Sequence, residues 1–252
     1  LIYGIRSSGN QAERAIRETA NQSSSQYPRV AEIVNKDVYV DDCMSGESSI
    51  ELAKKRAEKF EIVLNRCGFG LKGISFSGEN PPATMSDDGE TVIIAGMKWY
   101  PKTDQLSLNI NEVIFTKKSR GRKILTADSK MVPTQLTRRQ CVSKVSEVFD
   151  LTGKMMPIIS SFKLDLHELV RRKLDWDDVV PAELYDKWVS NFKTIEDLGN
   201  IKFNRAVIPP DAVNLEINTL DFADASQMMA CAAVYARFKR RNGSYSCQLV
   251  FS

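Results

Sequence analysis

Histidine is the rarest functional residue in this chain, which has a single one, His167, among 252 residues. No cysteine or histidine lies near it in the sequence, and the cysteines form no C-x-x-C pair, so we expect no zinc site. The five cysteines are an odd number and lie far apart. Scattered cysteines argue against a disulfide framework and indicate free thiols in a reducing compartment.

Long apolar runs and a strong net charge are absent as well. No stretch approaches the roughly 18 consecutive apolar residues of a membrane span, and no secretory signal is recognisable. Without such a signal, the glycosylation pattern at Asn242-Gly243-Ser244 predicts no glycan. The net charge is only +3, so a nucleic-acid partner has to be argued from local basic clusters.

The composition that remains is that of a globular protein with a core. Hydrophobic residues make up 42% of the chain and charged residues 27%, and the length allows one large domain or two to three small ones. The sequence begins at Leu1 and ends in "QLVFS", within a predicted strand. We therefore expect it to be a segment of a longer polypeptide.

Helical periodicity is clearest in two parts of the chain. Residues 9–22 and 47–68 each place apolar residues on one face, and the "SSSQYP" segment at 23–28 interrupts them. A second helical region follows, with helices predicted over 137–149, 160–176 and 181–195.

Strand patterns surround these helices. A hairpin is predicted around the aspartates of 37–42, a short strand at 69–78, and two strands over 91–110 about a turn at Pro101–Asp104. Residues 222–252 predict two strands joined at Asn242-Gly243. The order of helices and strands indicates an α+β class.

The predicted hairpin at 37–42 carries the sequence Tyr-Val-Asp-Asp. Adjacent carboxylates at neutral pH need a cation, a shared proton or a raised pKa. Magnesium removes the repulsion, and two such ions about 3.5–4 Å apart catalyse phosphoryl transfer. An exposed turn rich in aspartate is the alternative explanation.

Five blocks in order resemble the reverse transcriptase of Bel/Pao-type LTR retrotransposon polyproteins. "YVDD" resembles the catalytic hairpin. Residues 3–16 resemble the turn and helix that support the nucleotide, and residues 67–78 resemble a palm strand. Residues 95–108 resemble the primer grip, and residues 136–188 resemble the thumb with the connection. Within the last block, Phe-Asp-x-x-Gly at 149–153, Pro157 and Leu-x-Trp-Asp-Asp at 174–178 are typical of this family. "FADAS" at 222–226 then resembles the first strand of an RNase H domain.

The resemblance implies a fold and four segments. We expect an α+β chain whose residues 1–114 form part of a reverse transcriptase palm, an antiparallel sheet with helices that includes the primer-grip hairpin. A basic linker over 115–134 and a helical thumb and connection region over 135–214 follow. Residues 215–252 are expected to open an RNase H-like domain with its first β-hairpin.

The resemblance also implies roles for particular residues. The two catalytic, metal-binding carboxylates are expected to be Asp41 and Asp42, and Asp224 is expected to bind metal in the RNase H-like part. Contacts to nucleotide or template are expected from Tyr39, Gly4, Arg6 and Ser8. The primer grip is expected to comprise Met97, Lys98, Trp99 and Tyr100.

Several of these residues have a second explanation. Tyr39 is also compatible with a strand aromatic in a core, and Trp99 with the core of a hairpin. The basic segments "KKSRGRK" at 117–123 and "RFKRR" at 237–241 suit phosphate contacts or a solvated surface. These alternatives stay open on the sequence alone.

The function implied is that of an RNA-directed DNA polymerase using two Mg²⁺ ions. Its partners would be an RNA or DNA template-primer, deoxynucleotide triphosphates and the rest of the polyprotein, including a protease and an integrase, with no membrane. The expected location is the cytoplasm, with virus-like particles and nuclear access. A non-catalytic or co-opted nucleic-acid-binding protein is the first alternative, and an unrelated interaction protein with an accidental Tyr-Val-Asp-Asp is the second.

Both metal sites are expected to be incomplete in this sequence. A third polymerase aspartate and the fingers would precede residue 3, and further RNase H carboxylates would follow residue 252. We therefore expect the chain by itself to be inactive.

Overall fold

The computed structural model describes residues 6–110, 112–115, 117–119, 122–124, 127–213 and 218–252. The chain divides into two units. The first contains the described residues up to Ala95 and the segment Trp99–Asp104, and the second contains Gly96–Lys98 and Gln105–Ser252.

Three helices form the core of the first unit. They are α1 (Ser8–Gln22), α2 (Pro28–Lys36) and α3 (Ile50–Asn65). The hydroxyl of Ser49 accepts a hydrogen bond from the Leu52 N–H and so caps the start of α3. The predictions for α1 and α3 are confirmed. Their shared core contains Ala20, Val30, Ala31, Ile33, Val34, Phe60, Val63 and Leu64.

Helix α2 was not predicted from the sequence. It has only nine residues and begins at Pro28, a position where proline's fixed φ suits the first turn. Its four buried residues, Val30, Ala31, Ile33 and Val34, follow helical spacing. So short a pattern, placed directly after a serine-rich break, is easily taken for a loop.

The predicted hairpin at the aspartates is confirmed. Strands β1 (Val38–Tyr39) and β2 (Asp42–Cys43) pair antiparallel as a two-stranded sheet of their own. The strand predicted at 69–78 is wrong, since the described residues there form turns and irregular backbone. No strand among the described residues pairs with that segment to hold it extended.

Three strands rather than two occupy residues 91–110. They are β3 (Val92–Ile94), β4 (Met97–Tyr100) and β5 (Gln105–Leu108). The predicted turn at Pro101–Asp104 is present as a short 3-10 helix, Pro101–Thr103. The additional reversal lies at Ala95-Gly96, where both residues have positive φ.

The second unit begins with short strands and continues with three helices. Strands β6 (Lys117–Ser119) and β7 (Arg122–Ile124) pair antiparallel, and a 3-10 helix follows at Ala127–Lys130. The helices are α4 (Arg138–Ser146), α5 (Met156–Arg171) and α6 (Ala182–Leu198), as predicted. Strand β8 (Phe203–Asn204) pairs with β5.

The core of the second unit lies among these helices. A capping box between Thr137 and Gln140 starts α4, which fixes the helix where the sequence gives few apolar residues. The largest fully buried side chain is that of Trp188, and Phe162 is also fully buried. The other buried members include Met97, Leu108, Leu136, Cys141, Ile159, Leu169, Phe192, Ile195 and Leu198.

A three-stranded antiparallel sheet ends the chain. Its strands are β9 (Asn218–Ala225), β10 (Ala230–Lys239) and β11 (Tyr245–Phe251), in the order β11-β10-β9. The hairpin predicted at Asn242-Gly243 is confirmed, with Gly243 in the left-handed region at φ 82°. The sheet has one strand more than the predicted pair.

The mixture of helix and sheet confirms the α+β class. The assignment of residues 1–114 to a reverse transcriptase palm and the four segment boundaries stay predictions. Within the described residues, no helix is both long and apolar enough to cross a membrane.

Candidate active site

The candidate site is the tip of the β1–β2 hairpin. Val38 pairs with Cys43 and Tyr39 with Asp42, so only Val40 and Asp41 form the turn. Val40 has φ 56°, a conformation that is rare for a β-branched residue. A positive φ at the first central residue alone is the pattern of a type II′ turn. The tight turn therefore places the two aspartates at a fixed position on the surface.

The base of this hairpin is attached to the helices of the first unit. Val38 and Cys43 pack partly buried against the cluster that α1, α2 and α3 share. Two further contacts close the base: the Met44 N–H donates to the Asp37 carbonyl oxygen at 3.1 Å, and the Ser45 hydroxyl donates to the Asp37 carboxylate at 2.6 Å. The strands are short, but their ends are held.

The two aspartates have different surroundings. Asp41 is exposed, and its carboxylate makes no hydrogen bond or ion pair within the described residues. Asp42 is half-buried, and its Oδ2 accepts a hydrogen bond of 2.7 Å from the Ala95 N–H. One carboxylate is thus open and the other is fixed through one of its oxygens.

Ala95 is not predicted as a site residue from the sequence. It lies 53 positions from Asp42 and follows β3 directly, and its own φ is 47°. The Ala-Gly pair between two β-rich runs was the available signal, because glycine in such a place indicates a tight reversal. The contact with Asp42 itself is tertiary and has no signal in the sequence.

The residues expected to contact nucleotide or template lie in different places. Tyr39 is 53% exposed, so its side chain lies outside the core. Arg6 is exposed, and Ser8 is the first residue of α1. Gly4 lies outside the described residues. The roles proposed for these residues stay predictions.

The four residues expected to form a primer grip are divided between the two units. Met97 and Lys98 belong to the second unit, where Met97 is part of the core. Trp99 and Tyr100 belong to the first. Trp99 is only 8% exposed, and its indole N–H donates to Asp104 Oδ1 at 3.1 Å. Its burial agrees with the core alternative; the primer-grip role is untested.

Asp224 lies on the outer strand β9 and is exposed. Its partner in the register on β10 is Cys231, and its Oδ1 accepts a hydrogen bond from the Ala225 N–H at 2.8 Å. Since alternate residues share a face of a strand, Asp224 and Phe222 lie on one face of β9. Across the parts of the chain that the structure describes, no group of three or more His, Cys, Asp or Glu is placed to hold a metal ion.

The Phe-Asp-x-x-Gly block forms the loop before α5. Asp150 fixes this loop, because its carboxylate accepts from the Thr152 N–H at 3.1 Å and from the Met155 N–H at 2.7 Å. Gly153 has φ 70°, and a Cβ there would come within 2.7 Å of the Ser252 carbonyl oxygen. Glycine is therefore required for the close approach of the loop to the end of β11.

The lysine after this glycine strengthens the same contact. Lys154 Nζ donates to the Leu249 carbonyl oxygen at 2.7 Å and lies 5.4 Å from the centre of the Phe203 ring. Burial lowers the pKa of Lys154, and the nearby Asp150 acts in the opposite direction. The loop, β8 and β11 are thus joined by one side chain.

The Leu-x-Trp-Asp-Asp block is fixed to the start of α4. Arg138 and Arg139 lie 4.7 and 5.5 Å from the centre of the Trp176 ring, and Arg139 binds both carboxylate oxygens of Asp177 at 2.8 and 2.9 Å. This ion pair lowers the pKa of Asp177. The residues of this block therefore attach the segment after α5 to the start of α4.

Comparison with known proteins gives one family. The family model described as the Pao retrotransposon-like RNaseH-like domain matches residues 137–252. The match runs from the residue that caps α4 to the end of the chain, so it includes the helices α4–α6 as well as the sheet with Asp224. No curated protein and no solved structure matches the chain.

Proposed function

Residues 137–252 match the Pao retrotransposon-like RNaseH-like family, and from this premise we propose that the chain is part of a Bel/Pao-type LTR retrotransposon polyprotein whose reverse transcriptase has its catalytic hairpin in the first unit. The reaction is the template-directed attack of a primer 3′-hydroxyl on the α-phosphorus of a deoxynucleotide triphosphate. Pyrophosphate leaves as the new phosphodiester bond forms.

The observation that carries this proposal is the geometry of the Asp41 turn. A two-residue reversal presents Asp41 at its tip, exposed and without a cationic partner among the described residues, and Asp42 directly follows it. Surface aspartates that serve only solubility need no strained turn, whereas Val40 holds φ 56° here. The strain is consistent with a functional position.

The donor set fits magnesium. Asp41 offers both carboxylate oxygens and Asp42 offers the oxygen that Ala95 does not hold; hard oxygen ligands of this kind are the ones that Mg²⁺ prefers. When bound, Mg²⁺ would stabilise the negative charge that develops on the attacking and leaving oxygens. The chain's own contribution is to hold two consecutive aspartates at the tip of a short, anchored hairpin.

Primer extension by the polyprotein that contains this chain tests the proposal. We expect Mg²⁺-dependent extension on an RNA template, and a loss of at least about 100-fold for Asp41→Asn with template-primer affinity unchanged. Asp87→Asn, an exposed aspartate in the loop before β3, is the matched control and should extend normally. Equal extension by Asp41→Asn and wild type would favour the non-catalytic nucleic-acid-binding alternative.

The expected partners follow from this activity. They are an RNA or DNA template-primer, deoxynucleotide triphosphates and the other parts of the polyprotein, a protease and an integrase among them. The location that suits such a protein is the cytoplasm, inside virus-like particles, with later access to the nucleus.

A second activity, cleavage of RNA in an RNA–DNA hybrid, is favoured by the position of Asp224. The residue lies exposed on the first strand of the antiparallel sheet within the RNaseH-like match. An exposed carboxylate on a rigid strand suits a metal ligand. Asp224→Asn in the polyprotein should abolish hybrid cleavage and leave primer extension intact, whereas unchanged cleavage would exclude a role for Asp224.

A further inference from the structure

We infer that the backbone N–H of Ala95 is a positioning group for the candidate active site: it holds Asp42 Oδ2 and so sets the orientation of the Asp42 carboxylate beside Asp41. This inference rests on the proposed polymerase function. It adds a group that lies outside the Tyr-Val-Asp-Asp sequence and that acts through Asp42.

The contact is short and well placed. The distance from Ala95 N to Asp42 Oδ2 is 2.7 Å, which lies in the range of a charge-assisted hydrogen bond. Ala95 is buried and Asp42 is half-buried, so water competes poorly for either group. An unpaired N–H at a buried residue is costly, which favours keeping this bond.

The backbone around Ala95 is shaped to present this N–H. Ala95 and Gly96 have φ of 47° and 76°, the pattern of a type I′ reversal. Alanine in the left-handed region carries a cost that glycine would avoid. A tight reversal directly after β3 aims the amide at a fixed point and leaves it little freedom to turn away.

The bond makes the two aspartates differ in how many of their oxygens accept a hydrogen bond. Asp42 Oδ2 accepts the Ala95 N–H, so Asp42 Oδ1 and both oxygens of Asp41 are the acceptors without a hydrogen bond in the described residues. Rotation of the Asp42 side chain would break the bond with Ala95. The N–H therefore limits rotation of the Asp42 carboxylate, which is the positioning role that we assign to it.

A backbone ester tests this role without changing any side chain. Replacing Ala95 by L-lactate removes the N–H and keeps the methyl group. Within the polyprotein we expect kcat for primer extension to fall about tenfold or more, which is the effect of losing a hydrogen bond to a charged group, while template-primer Kd stays within error and circular dichroism shows the same fold. The same ester at Ala83, an exposed alanine whose N–H makes no hydrogen bond in the described part of the chain, is the matched control.

A second readout needs no activity. In the 252-residue chain, hydrogen exchange at the Ala95 amide should be protected in wild type and in Asp41→Ala. It should accelerate about tenfold in Asp42→Ala, and Asp42→Asn should retain protection because its side-chain oxygen still accepts. Should Asp42→Ala unfold, primer extension by the Ala95 ester, compared with the Ala83 ester, still decides.

The outcomes separate the two proposals. If wild type extends primers but the Ala95 ester behaves as the Ala83 ester, the positioning role is wrong and the polymerase function stands. If wild type fails to extend primers while the Ala95 amide is protected through Asp42, the contact is real and the polymerase function is wrong. An unprotected Ala95 amide in wild type overturns the inference directly.

Discussion

Two residues beside the candidate site hold a backbone conformation that side chains with a Cβ avoid. Val40 has φ 56° and Ala95 has φ 47°, and each costs on the order of 1 kcal/mol or more. Neither residue type indicates a left-handed conformation in the sequence, where glycine or asparagine would. The strain persists because the base of the hairpin is packed on the helices and because Asp42 binds the Ala95 amide.

The cysteines provide a prediction at the same scale. Burial raises the pKa of Cys43 to about 11, with a smaller contribution from Asp37, and raises that of Cys141 to about 12. Only the thiolate reacts with iodoacetamide. At about pH 8 the exposed Cys231 and Cys247 should therefore be modified first, with Cys43 and Cys141 spared, as mass spectrometry of the peptides would show.

The control for this experiment is the unfolded chain, in which all five cysteines should react at similar rates. The raised pKa values also have a consequence for stability. In the unfolded chain these thiols ionise near pH 9, while in the folded chain they stay protonated, so the free energy of unfolding should fall as the pH rises above about 9. Modification of Cys43 as rapid as that of Cys231 would show that the base of the hairpin opens.

At the scale of elements, the sequence was a better guide to helices than to strands. Helices α1, α3 and α6 repeat an apolar face over four turns or more, so the pattern alone identifies them. Strands β3 and β4 have three and four residues and are separated by only two. A period of two cannot be recognised over so few residues, so the pattern of 91–110 predicts only two strands about one turn.

The link from Lys154 to β11 can be tested by substitution. Lys154→Met keeps most of the apolar stem and removes the bond to the Leu249 carbonyl oxygen and the contact with the Phe203 ring. We expect a loss of about 1 kcal/mol in the free energy of unfolding by urea. Hydrogen exchange should also become faster at the end of β11, where the loop no longer holds the strand.

Lys193→Met provides the control, since Lys193 is exposed on α6 and has no hydrogen bond or ion pair in the described structure. Its effect should stay within about 0.5 kcal/mol. Equal destabilisation by the two substitutions would show that the loss of any lysine charge, rather than the Leu249 contact, is responsible.

For the whole molecule, the α+β class and the family of residues 137–252 could be predicted from the sequence, but the tertiary contacts of the candidate site could not. The α+β class follows from the alternation of periodic segments, and the blocks in 136–188 and 222–226 lie within the family match. The hairpin at Asp41 could also be predicted, because β-rich residues precede the aspartates and a Ser-Gly pair follows them. The bond from Asp42 to Ala95 and the junction of Lys154 with β11 join residues 53 and 95 positions apart, and these depend on tertiary folding.

The two explanations of the basic segment 117–123 differ in how binding to nucleic acid depends on salt. Lys118 and Lys123 are backbone partners in the register of β6 and β7, and the sequence of 117–123 holds five basic residues, whose positive charge an anion would neutralise. A phosphate backbone would supply that anion, and each phosphate contact contributes about 0.9 to the slope of log K against log salt on duplex DNA.

The double variant Lys118→Gln/Lys123→Gln should therefore lower that slope by about 1 to 2 for a template-primer duplex, measured by fluorescence anisotropy at several salt concentrations. Lys55→Gln/Lys59→Gln on the exposed face of α3 removes the same charge and should leave the slope unchanged. If both pairs lower the slope equally, the segment acts only through net charge. If neither does, 117–123 is a solvated surface and the nucleic acid binds elsewhere on the chain.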